Sequence, residues 1–116
     1  MNSAESFRDE ITWTATEKRL ARQIFDRAFQ KQCASIAAEA KKMIANTAVP
    51  SDIWRVHDYL SQHRRTVDKL YDYRYSVLLD VFARLLGEGW LTEADLIGLQ
   101  EDKIERIKID ANLYLH

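Results

Sequence analysis

Apolar positions recur at helical spacing along two long blocks of this chain. In the first, Phe25, Phe29, Cys33, Ile36, Ala40, Met43 and Ile44 share one stripe when successive residues are set about 100° apart. Trp13, Leu20, Ile24 and Ala28 form a second stripe, offset toward the N-terminal half. Thr14 or Thr16 is placed to cap this helix, with Glu17 and Lys18 following, and nothing interrupts it before about Asn46. Thirty-odd helical residues at about 1.5 Å each reach roughly 45 Å. A compact domain of this length is only about 35 Å across, from a radius of gyration near ~13 Å. The helix therefore overhangs its own domain. Two stripes predict two burial partners, one of them a second copy of the chain; alternatively, a bend merges both stripes into one core face.

The second block follows Thr47-Ala48-Val49-Pro50-Ser51, where Pro50 disfavours helix at Val49 and Ser51 is a suitable cap. Neither Gly nor Pro occurs from Asp52 to Leu86. Ile53, Val56, Leu60, Val67, Leu70, Tyr71, Val77, Leu78, Val81 and Leu85 lie on one side of a single wheel, interrupted by His63 and Arg74. The pattern fits one long helix, or two in register with a kink near 61–66. Tyr71 is expected to pack inward and Tyr73 to lean outward. Gly87-Glu88-Gly89 ends the run, glycine being the usual left-handed cap. Thr92-Glu93-Ala94-Asp95 starts a short helix that Gly98 closes, and Glu101 to about Asn112 forms the last, with Ile104, Ile107 and Ala111 on its buried face. The terminal Leu113-Tyr114-Leu115-His116 is apolar enough to pack, whereas residues 1–12 are polar and loosely held.

Composition supports helices throughout. With only 3 Gly and 1 Pro in 116 residues, the chain lacks the turn formers that a sheet needs, and its length fits one domain. A formal net charge of −1, with no strongly basic segment, gives no reason to expect nucleic acid. No apolar run approaches a membrane span. The N-terminus lacks a basic region followed by an apolar stretch, and the single Cys33 cannot form an internal disulfide; both lead to an expectation of a cytoplasmic protein.

His57-Asp58 invites comparison with metal phosphohydrolases of the HD type. Those need a further upstream His, and the three here are His57, His63 and His116. On a helix, His57 and His63 diverge by roughly 120°, so they would share a metal only across a kink. Cys33 sits on the apolar stripe as a small core residue. No nucleophile elbow, phosphate loop or dinucleotide fingerprint is present. The chain is therefore expected to be no enzyme and to carry no cofactor.

A surface is the stronger constellation. Trp54, His57, Asp58, Ser61, Arg65, Asp68 and Asp72 fall in a stripe roughly 120° wide with Arg64 at its edge, opposite the apolar side. Read as a solvated face, its charge pairs would each be worth little. Trp54 favours a contact surface instead, because Trp and Arg are the types most enriched at binding hot spots.

The run Trp54-x-x-His57-Asp58-x-Leu60-Ser61-x-x-Arg64, followed by Asp68, Tyr71-Asp72, Arg74 and Ser76-Val77, resembles the fluorescence recovery protein family of cyanobacteria and its relatives. The similarity continues through Val81-Phe82-Ala83 and Glu88-Gly89 to Asp102-Lys103 and Ile107-Lys108. About 60 residues carry it; Phe25, Ala28 and Phe29 fit in the less distinctive N-terminal third. The resemblance implies an all-α, elongated protein in which two long helices form a dimerisation stalk and a small helical head lies at the C-terminal side. In this chain that corresponds to a flexible start over residues 1–13, long helices over 14–65 and a head over 66–116. It also implies a homodimer, with Phe29, Cys33, Ile36, Ala40, Ile53 and Trp54 as expected contacts. The implied partner is the photoactivated orange carotenoid protein, bound mainly through its C-terminal domain and sped back from red to orange, which ends quenching of phycobilisome fluorescence. No cofactor is implied, and the location would be the cytoplasm, at the thylakoid in a cyanobacterium. The implied partner-binding residues are Trp54, His57, Asp58, Arg64 and Arg65, with Asp80 and Arg106 on the head. Asp80 stands where the best-known members carry an aromatic residue, whereas Arg106 keeps the basic character of its position. A dimeric helical adaptor for a different partner, in an organism without orange carotenoid protein, is the alternative.

Overall fold

The computed structural model describes residues 11–115. Among them run four α-helices: α1 (Ala15–Ala45), α2 (Ser51–Leu70), α3 (Leu78–Glu88) and α4 (Glu101–Ala111). Short 3₁₀ turns cover Glu93–Leu96 and Asn112–Tyr114. The loosely held start expected for residues 1–12 lies outside the described residues except at its end. There Ile11, like Trp13 after it, rests half-buried on the core.

Thr14, not Thr16, caps α1. Its hydroxyl accepts the Glu17 amide at 3.1 Å while the Glu17 carboxylate accepts the Thr14 amide at 3.1 Å, a reciprocal capping box. The 31 residues of α1 extend far past the head. The molecule measures 61 × 30 × 25 Å with a radius of gyration of 17.5 Å, well above the ~13 Å of a compact domain this long. The all-α, elongated architecture expected from the sequence is what the chain adopts.

The N-terminal half of α1 and its C-terminal half have separate destinations, and Phe25 of the first stripe joins the second stripe in the core. Ala21, Ile24, Phe25 and Ala28 enter the main core with Leu70, Leu78, Leu79, Val81, Phe82, Ala83, Leu85, Leu91, Leu96, Leu99 and Ile107. The sequence grouped residues 14–65 with the stalk, yet these four α1 residues help build the head. Further along, α1 packs against α2 as an antiparallel hairpin in which Ala40 and Val56 are buried. Phe29, Ile44, Ile53 and Leu60 remain exposed on that hairpin.

Ser51 does not cap α2. Pro50 already has helical dihedrals (φ −54°, ψ −35°), so Ser51 is itself the first helical residue. Asp52 takes over, accepting the amides of Ala48 at 2.9 Å and Val49 at 3.1 Å. Those two N–H groups hold its carboxyl below the ordinary carboxylate value.

The helix break also differs in place. α2 runs without interruption through 61–66 and ends at Leu70, and the chain turns over residues 71–77. No Gly or Pro forces that turn; side chains hold it. The Tyr71 hydroxyl donates to the Gln32 side chain at 2.7 Å, and Tyr71 meets the rings of Phe25 and Phe29 edge-on. Arg74 grips Asp72 with contacts from 2.6 to 3.0 Å. Tyr73 packs edge-on against Phe25 at 4.9 Å rather than leaning outward, and burial, helped by a hydrogen bond with Tyr75, pushes its phenol up to about 12. A wheel cannot foresee the contacts of Tyr71 and Tyr73 with α1, because those partners lie 39 or more residues away.

Gly89 ends α3 in the left-handed region at φ 89°. Gly87 has a different task. A Cβ there would meet the Ala111 carbonyl oxygen at 2.5 Å and the Tyr114 Cβ at 2.7 Å, so the end of α3 lies directly on the end of α4. Gly87→Ala should cost about 1–3 kcal/mol by forcing this crossing apart, which urea unfolding would read as a lower midpoint at unchanged slope. Tyr114 is half-buried there, but Leu113 and Leu115 are 79% and 62% exposed, so the chain end does not pack as its composition suggested. His116 lies outside the described residues.

Candidate functional site: a stalk stripe and a head ion pair

α2 is a 20-residue helix that turns one face into the hairpin through Val56, Val67 and Leu70. The opposite face consequently carries Trp54, His57, Asp58, Arg64 and Arg65 into solvent. Trp54 is 65% exposed, a large apolar surface for a residue that is usually covered. Its ring meets the His57 ring edge-on with centroids 6.4 Å apart. His57 Nδ1 lies 3.4 Å from Asp58 Oδ1, and Arg64 Nε lies 3.7 Å from Asp68 Oδ2. These are loose, solvated pairs whose energies are small. They leave the indole face, the imidazole and the guanidinium available to a partner.

Of the expected dimer contacts, Phe29 is 40% and Ile53 45% exposed, while Cys33 and Ile36 are half-buried. Ala40 is already buried within the hairpin.

On the head, the structure joins two residues that lie 26 positions apart in the numbering. Asp80 of α3 faces Arg106 of α4, Oδ1 to Nη2, at 3.8 Å. Arg106 Nε also lies 3.6 Å from Asp110 Oδ2. The stalk stripe and this head pair occupy different helices, and no hydrogen bond or ion pair links them among the described residues.

Beneath the head pair is a cluster the sequence reading missed. Lys103 and Glu17 form a buried ion pair, Nζ to the two carboxylate oxygens at 3.0 and 3.1 Å, with side chains 4% and 3% exposed. Lys103 also donates to Gln100 Oε1 at 3.3 Å and lies over the Trp13 ring, 5.1 Å from its centroid. Burial raises the Glu17 carboxyl, but the amides of Gln100 and Thr14 and the Lys103 ammonium outweigh it and hold the group below its ordinary value. The signal was present: Glu17 and Lys103 each precede a buried residue, Ala21 and Ile107, by one helical turn of four. Charged residues at core-facing positions imply a partner. The cluster fixes the start of α1 against the start of α4 and thereby sets where Arg106 stands.

No α-helix among the described residues is long and apolar enough to cross a membrane. Comparison with known proteins agrees with this geometry. The family model for the photoprotection regulator fluorescence recovery protein matches residues 13–111. The fluorescence recovery protein of Synechocystis sp. is 35% identical over 104 residues, spanning 90% of this chain and 95% of that relative. The solved structure of the Fremyella diplosiphon fluorescence recovery protein has a TM-score of 0.82 at 34% identity, covering 87% of this chain and 99% of that one. The Synechocystis structure gives 0.83 at 34% identity with the same coverage. With sequence and fold in agreement, the chain belongs to the fluorescence recovery protein family of photoprotection regulators.

Proposed function

We propose that this protein binds the photoactivated red form of orange carotenoid protein, mainly through that partner's C-terminal domain, and speeds its return to the orange form without covalent chemistry. The observation that carries this reading is Trp54, 65% exposed amid His57, Asp58, Arg64 and Arg65 on a chain of this family. The mechanism is a population shift. A protein that binds the compact form, or the transition state leading to it, better than the open form must accelerate or favour closure by that difference in affinity. Asp80 and Arg106 form a second contact on the head.

The working unit is a homodimer. Phe29, Ile53 and Leu60 are each at least 40% exposed on one hairpin, an apolar face that a second copy would cover. Ile53→Glu should shift the mass measured by light scattering from dimer to monomer while leaving the helical signal unchanged. A dimer that persists would move the self-contact away from Ile53.

The defining test is to illuminate orange carotenoid protein and follow its red-to-orange return in the dark, with and without this chain. An unchanged rate at excess protein would sink the reading. It would favour the adaptor role with another partner, for which the acidic Asp80 on the head is the supporting feature.

A further inference from the structure

α2 presents two exposed faces rather than one. Val56, Val67 and Leu70 are buried and set the direction of α1. Ile53 and Leu60, the exposed apolar residues of the proposed self-contact, fall on one flank of that direction. At about 100° per residue, Trp54 lies roughly 100° from Ile53 and roughly 120° from Leu60. Asp58, Arg65 and Lys69 fall within about 60° of Trp54, in a row roughly 22 Å long. A second copy laid over Ile53 and Leu60 leaves this row uncovered. The row is also short of counter-charge. Of the three acids on α2, Asp52 accepts the amides of Ala48 and Val49, Asp58 lies 3.4 Å from His57, and Asp68 lies 3.7 Å from Arg64. Arg65 and Lys69, both exposed and four positions apart, have no ion pair among the described residues. Like charges at that spacing weaken a helix, so the stability of α2 does not account for them.

We propose that the row from Trp54 through Arg65 to Lys69 is a rail for an acidic surface of the partner protein, with Lys69 as a binding residue at its head-proximal end. Charge complementarity carries the assignment. Two cations without counter-ions attract carboxylates, and no acid of their own helix must be displaced first. Trp54, 65% exposed at the other end, supplies the apolar anchor that a row of charges lacks. Asp58 stands between the two ends and repels an evenly acidic surface, which fixes the register of the partner along the helix. The self-contact and the partner contact thus use different flanks of α2, and both can be occupied at once.

This inference rests on the reading above, and binding titrations with the red form of orange carotenoid protein test both. Arg65→Glu combined with Lys69→Glu should weaken binding about tenfold, the scale of charge reversal at two exposed contacts. Lys69→Arg should bind as the unmodified chain does. Lys41→Glu, which reverses an exposed cation on α1, should change binding by less than about twofold. Added salt should weaken the unmodified chain more steeply than the double variant. Light scattering should find the double variant in the same oligomeric state as the unmodified chain, and thermal melts control for folding. If the unmodified chain binds and the double variant binds equally well, loses no more than Lys41→Glu, or changes its oligomeric state, the rail is wrong and the proposed function stands. If the unmodified chain does not bind, both ideas fall.

Discussion

Glu17→Gln is expected to destabilise the fold by about 3–5 kcal/mol, because it leaves the Lys103 ammonium buried without its counter-charge. The ammonium would keep Gln100 Oε1 at 3.3 Å and the Trp13 ring, neither of which carries a negative charge. At several degrees per kcal/mol for a chain of this size, the melting temperature should fall by more than about 10 °C. Combining Glu17→Gln with Lys103→Met should restore part of the loss, since a buried ion pair replaced as a unit costs far less than one that is broken. A double variant less stable than Glu17→Gln would mean that Lys103 stabilises through its stem and the Trp13 contact rather than through its charge.

The same carboxyl dictates a pH dependence. Its pKa in the folded protein lies below the ordinary 4.5, so the unfolded chain binds the proton more readily. The stabilisation is therefore complete above the ordinary value and is lost as pH falls through the lower folded value. Melting temperature should decline as pH falls below about 4.5, and Glu17→Gln should flatten that decline relative to the parent. An equally steep acid limb in the variant would place the responsible carboxylate elsewhere, with Asp52 and Asp95, both also held low, as the next to test.

Trp54→Ala should give the opposite profile. At 65% exposure the ring contributes little to the isolated fold, so the melting temperature of the monomeric unit should barely move. Truncation of a central Trp at an interface typically costs 2 kcal/mol or more, which is a loss of about 30-fold or more in affinity. The acceleration of red-to-orange recovery at limiting protein should fall accordingly. Because Ile53 adjoins Trp54, light scattering must accompany the assay. A variant that stays dimeric yet loses recovery places Trp54 against the partner, whereas one that becomes monomeric places it between copies. Full activity with an intact dimer would remove Trp54 from both roles.

Much of this architecture is legible in the sequence because helices are written locally. The periods of α1 and α2, the Thr14 and Thr92 capping boxes, the Pro50 turn and the glycine at the end of α3 all depend on residues a few positions apart. The stripe from Trp54 to Arg65 could be drawn for the same reason: one face of a helix is fixed once its opposite face is buried. The resemblance carried by Trp54, His57, Asp58 and Arg64 gave the family directly.

Tertiary structure decided what depends on distant partners. The break after Leu70 falls where Tyr71 meets Gln32 and Tyr73 meets Phe25, not where the wheel permitted a kink. The second stripe of α1 proved to be part of the head, since its neighbours come from α3 and α4. Glu17 and Lys103 look like ordinary surface charges until folding brings them together across 86 positions. Asp80 and Arg106 acquire a joint meaning only when α3 and α4 cross. Helix periodicity is set by bonds between neighbours in the chain, whereas distant ion pairs and turns without breakers are set by neighbours in space. The sequence alone determined α1, the start of α2, α4 and the family resemblance; the packing of the helices decided the turn after Leu70 and the head.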